Sequence, residues 1–103
     1  MSVCAAAIQT YHPGTPAKWE TLQSGLIPCR VLEVFHPPKY GDWPSMGLAH
    51  WFMVKIQLTA DRGPWKKDEV IETFPMHVWP VDRIRKGQYF NYVCGGFRWA
   101  PKE

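Results

Sequence analysis

The stretch HWFMVKIQLT (50–59) constrains the fold most. Phe52, Val54, Ile56 and Leu58 fall on one side of it, and Trp51, Met53, Lys55, Gln57 and Thr59 on the other. Apolar residues recurring at every second position are the mark of a strand with one buried face. The first set is therefore assigned to the core. The turn sequence ADRGPWKK (60–67) follows, then a β-rich run, DEVIETF (68–74), stopped by Pro75. A short pairing segment at Met76–Trp79, a break at Pro80, one tight turn over Val81–Ile84 and a closing strand at Gln88–Val93 complete a β-meander. The chain reads as all-β.

Upstream, IPCRVLEVF (27–35) is a strand whose alternation shifts phase near Val31–Leu32, which predicts a β-bulge. HPPKYGDWPSMG (36–47) has three Pro and two Gly, so it is a loop. Thr15-Pro16 before AKWETLQ resembles a capped helix start, with Trp19 and Leu22 on one face and Gly25 as the stop. The expected organisation is an N-terminal extension with a short helix (1–25), a barrel (26–94) and a C-terminal tail (95–103). The helix would act as a lid over one open end of the barrel.

The chain carries 6 Trp, 4 Tyr and 5 Phe in 103 residues. One small barrel cannot bury so many rings, and exposed aromatics mark contact surfaces. The net charge of +3 is too mild to demand a nucleic-acid partner, though it permits one. Cys4, Cys29 and Cys94 are an odd number with no CxxC spacing, which favours reduced, cytoplasmic thiols. MSVCAAAIQ lacks a basic leader and is not read as a signal peptide. No apolar run approaches the roughly 20 residues a membrane span requires, so no membrane partner is expected.

Tyr40, Trp43 and Trp65 are the strongest candidate constellation. If the loops carrying them converge on one rim, they form an aromatic shelf bordered by Lys66 and Lys67. Such a shelf suits a proline-rich peptide, a methylated cation or a base. The competing reading is a mini-core beneath the long loop. Trp65 lies beside Arg62, Lys66 and Lys67, so it could stack a base while the cations meet phosphate, or fold back on the barrel and leave the lysines solvated. Arg83, Arg85 and Lys86 make a modest basic patch. His12, His36, His50 and His77 show no metal-ligand spacing with one another or with the cysteines. Cys29 sits in a core-like pattern that makes a thiol inert. No metal, cofactor or catalytic residue is assigned.

HVWPVDRI (77–84) resembles the strand–Pro–3₁₀–strand junction of the SH3 barrel, with Ile84 as the aliphatic core plug. The resemblance covers roughly residues 26–93, with 36–47 in the RT-loop slot and 60–67 in the n-Src slot. It implies a five-stranded SH3-like small barrel. The ALYDY-type motif of signalling SH3 domains is absent, so their proline groove does not carry over. Met76-His77-Val78-Trp79-Pro80 also resembles the pore-lining segment of plasmid-borne type II dihydrofolate reductases, which are tetramers of SH3-like barrels. There His77 stands where that family has Gln, and Trp79 where it has Tyr.

The expected function is a non-catalytic binding module for a protein or peptide partner, with Tyr40, Trp43, Trp65, Lys66, Lys67 and Trp79 as ligand contacts. A nucleic-acid accessory protein and an oligomeric small-molecule or nucleotide site are the alternatives. Trp51 and Met53, on the non-core face of their strand, are expected to mediate homo-oligomer contacts or to be covered by the N-terminal segment.

Overall fold

A computed structural model describes residues 5–35, 52–87 and 99–101. Its elements run α1 (Ala5–Thr10), β1 (Pro16–Thr21), β2 (Gly25–Phe35), β3 (Met53–Leu58), β4 (Val70–Thr73), a 3₁₀ turn (Pro75–His77), β5 (Val78–Pro80) and α2 (Val81–Lys86). The fold is mostly β. The five strands form one antiparallel sheet in the order β4-β3-β2-β1-β5. The described strands do not close into a barrel, because β4 and β5 remain its two edges.

The alternation in β3 sets the core as the sequence predicts. Phe52, Val54, Ile56 and Leu58 are buried, while Met53, Lys55 and Gln57 are half-buried on the other face. From neighbouring elements Tyr11, Ala17, Trp19, Ile27, Cys29, Val31, Val78 and Trp79 complete the core. The phase change in β2 is a register shift between Val31 and Glu33 in the β2–β3 pairing. Val31 thereby stays opposite Ile56 and Val34 reaches Val54. Ile84 is half-buried and packs against the core from α2, so it is a flank of the core, not a sealed plug.

The helix expected after Thr15-Pro16 is a strand. Residues 16–21 pair with β2, Trp19 opposite Ile27 and Ala17 opposite Cys29. Ala17 and Trp19 are buried and Lys18 and Glu20 half-buried, so the real period is two. Proline is tolerated at the first residue of a strand as well as of a helix, and tertiary pairing decides between them. Gly25 has φ +66° and finishes a tight hairpin in which the Thr21 hydroxyl donates to the Gly25 carbonyl at 2.8 Å. Leu22 sits fully exposed on that hairpin, outside the core that Trp19 joins. The short helix lies earlier, at Ala5–Thr10.

The tight turn expected over Val81–Ile84 is the six-residue helix α2, and the 3₁₀ turn precedes β5 instead. Pro80 ends β5 and caps α2, which stops at Gly87 in the left-handed region, φ 68°. The Tyr11 hydroxyl ties this region down: it donates toward the carbonyls of Pro75 at 2.9 Å and Val78 at 3.2 Å. The expected closing strand at 88–93 lies outside the described residues, as do Trp51 and the loop at 36–47.

Candidate functional site

The β1–β2 hairpin and the connection from β3 to β4 are locked together. Arg62 and Trp65 exchange backbone N–H···O bonds of 2.9 Å each, which close a small loop. The Arg62 guanidinium donates through Nη1 to the Leu26 carbonyl at 2.5 Å. The amide of Lys67 donates to Asp61 Oδ1 at 2.6 Å, and that of Lys66 to Glu69 Oε1 at 3.3 Å. Gly63 has φ +56°, and a Cβ there would lie 2.6 Å from Ser24 Oγ. A side chain there would be strained by the positive φ and would push the Ser24 hydroxyl aside.

This lock brings Trp65 onto Trp19. Their rings meet edge to face, with centroids 4.8 Å apart and planes at 70°, a favoured aromatic geometry. Trp19 is buried and Trp65 half-buried. Beside the pair opens a cleft of about 440 Å³, lined by Trp19, Glu20, Thr21, Leu22, Gln23, Trp65, Thr73 and His77. Three walls meet there: the end of β1 with its hairpin, the β3–β4 connection, and the end of β4 with the 3₁₀ turn. β5 pairs with β1 over Ala17–Trp19, and the last part of β1 runs on beside the cleft. The His77 amide donates to the Phe74 carbonyl at 3.1 Å, which sets the turn that carries its ring.

The residues chosen from sequence fare unequally. Trp65 lines the cleft, half-buried on Trp19. Lys66 and Lys67 are exposed next to it but not part of its wall. Trp79 is fully buried, and its indole Nε1 donates to Glu20 Oε1 at 3.1 Å. It is a core residue with no surface for a ligand. Tyr40 and Trp43 lie outside the described residues. Sequence reasoning missed Trp19, Leu22 and Thr73. The alternation of Ala17, Trp19 and Thr21 was the available signal for the first, hidden by the helix-like Thr-Pro start.

Two described groups outside the cleft lining have displaced titration. Burial pushes the Cys29 thiol up to about 12, against a smaller opposing effect of Lys18. On the outer face of the sheet, Lys55 Nζ lies 3.0 Å from Glu33 and 3.8 Å from Glu72. Its pKa is raised, first by the hydrogen bond to Glu33. Among the described residues no group of three or more His, Cys, Asp or Glu side chains is placed to hold a metal ion. No helix there is long and apolar enough to cross a membrane.

Comparison of the chain with models of known protein families, with curated proteins and with solved structures gives no match.

Proposed function

We propose that this chain is an SH3-like small barrel that binds a protein or peptide partner without catalysis, and that the Trp19–Trp65 cleft is its binding site. The sheet order β4-β3-β2-β1-β5, antiparallel throughout, with a 3₁₀ turn between β4 and β5, supports the barrel reading. On that reading the segment 36–47 joins the second and third strands, since a β1–β2 hairpin precedes it.

The observation that carries the functional reading is the cleft itself. Two indoles in contact form its wall, and Leu22, fully exposed, stands on its rim. Concave sites lined by aromatic and apolar groups with a few polar ones are where ligands bind. Exposed leucine beside tryptophan favours an apolar side chain of a partner. The cleft chemistry is that of recognition: Gln23, Thr73 and His77 supply hydrogen-bonding groups beside its apolar rings.

Peptides selected from a random library against the immobilised protein test this reading. Their binding is followed by the emission of the tryptophans. Trp65→Ala and Leu22→Ser, each with its circular dichroism retained, are expected to weaken the selected peptides at least tenfold. Selected peptides that bind both variants as tightly as the parent would overturn the site.

A nucleic-acid partner is the second reading, favoured by the exposed Lys66 and Lys67 beside Trp65. It requires oligonucleotide binding that weakens steeply with added salt. Self-association through the face of Met53 and Trp51 is a separate proposal, read directly by the mass in solution; Met53 is half-buried and pairs across with Phe35.

A further inference from the structure

We infer that the peptide is bound as an added strand on the edge of β4 that no described strand covers, with a basic residue opposite Glu72 and apolar residues on either side entering the cleft. This rests on the reading of the cleft as a peptide site and adds its mode and its charge preference.

Among the described strands β4 pairs with β3 alone. The Leu58 amide donates to the Glu69 carbonyl at 2.9 Å. Alternation along an antiparallel ladder from that bond directs the N–H and C=O of Val70 and Glu72 away from β3. These groups form a template for a further strand. Val70, at the start of the strand, is 50% exposed, so this edge offers an apolar side chain to a partner.

The two faces of the edge ask for different side chains. On the outer face, Glu33 of β2, Lys55 of β3 and Glu72 of β4 form a cross-strand ladder of alternating charge. The ladder ends on a carboxylate, and Glu72 is the more distant of the two acids that share Lys55. A lysine or arginine directly opposite on an added strand continues the alternation. On the inner face, Thr73 of β4 is part of the cleft wall with Trp19 and Trp65. Neighbours of the basic residue point to that side, because side chains alternate across a strand. The occupant is therefore an extended segment of the pattern apolar–basic–apolar.

The probe is a blocked heptapeptide, Gly-Thr-Leu-Lys-Leu-Thr-Gly, with a partner in which Glu replaces Lys. Amide exchange and tryptophan emission are followed on the intact protein. The Lys peptide is expected to slow exchange of the Val70 and Glu72 amides at least tenfold and to change Trp65 emission. Glu72→Lys is expected to reverse the preference between the two peptides, and Glu72→Gln to erase it. N-methylating the Leu amides of the peptide and, separately, its Lys amide tests the edge without any protein variant; at least one of these peptides must lose binding. Unchanged exchange at saturating peptide, or Val70 and Glu72 amides already protected in the free protein, overturns the proposal. If emission changes and Trp65→Ala abolishes binding while the edge amides stay unprotected, the cleft reading survives and strand addition falls. No binding at millimolar peptide also overturns strand addition, and leaves the cleft to the library selection.

Discussion

The indole of Trp65, on the β3–β4 connection, meets the indole of Trp19, on β1, edge to face at 4.8 Å. Two strands, β2 and β3, lie between β1 and β4 in the sheet. The connection reaches β1 by folding against the β1–β2 hairpin, and the contact joins structure to site: the same rings pack on the core and wall the cleft.

Truncating either ring tests that double role. Trp19→Ala should cost about 3–5 kcal/mol, the range for a buried tryptophan. Trp65 is half-buried, so Trp65→Ala should cost about 1–3 kcal/mol, less than a core ring and more than a surface one. A double-mutant cycle in denaturant should return a coupling of about 0.5–1.5 kcal/mol. Zero coupling would mean the rings do not meet in solution.

Tyr11 makes a second test. It is fully buried, its ring lies 5.8 Å from that of Phe52, and its hydroxyl serves the carbonyls of Pro75 in the 3₁₀ turn and of Val78 at the start of β5. Tyr11→Phe keeps the packing and leaves those buried acceptors short of a donor, a loss of about 1–3 kcal/mol. Urea unfolding of the two proteins measures it. Equal midpoints would place the hydroxyl in water.

The sequence made β3, β4 and the bulge in β2 legible because their side-chain period is two and proline or glycine punctuates them. Residues 16–21 carry the same period, but Thr15-Pro16 begins a helix as readily as a strand, and six residues of alternation do not outweigh a cap. Only pairing with β2 and β5, which is nonlocal, decides it. Trp65 was legible as a candidate from its place in a charged turn. That it folds onto Trp19 depends on Gly63 approaching Ser24 and on Arg62 reaching Leu26, contacts no local pattern encodes. Trp79, expected as a ligand contact, is buried in the core: an aromatic-Pro pair at a strand end looks the same whether the ring faces a pore or the core.

Cys29 predicts a pH dependence with a definite sign. Its thiol has an ordinary value of 9.0 and is pushed up to about 12 by burial. Between these values the unfolded chain loses this proton and the folded one keeps it. The stability it contributes is whole below about pH 9 and is lost progressively as pH rises to about 12. Lys55, also raised, adds to the same fall above its ordinary 10.5. Unfolding midpoints across pH 8 to 11, a window set about the thiol's ordinary value, should decline more steeply in the parent than in Cys29→Ala. Parallel slopes would show that Cys29 is not buried.

The most direct test of the binding account maps a selected peptide onto the protein by nuclear magnetic resonance. The largest shifts are expected at the indole N–H groups of Trp19 and Trp65, the methyls of Leu22, and Thr73 and His77, all on the cleft. Shifts confined to Lys66, Lys67 or a surface remote from the cleft, with both indoles unmoved, would contradict it.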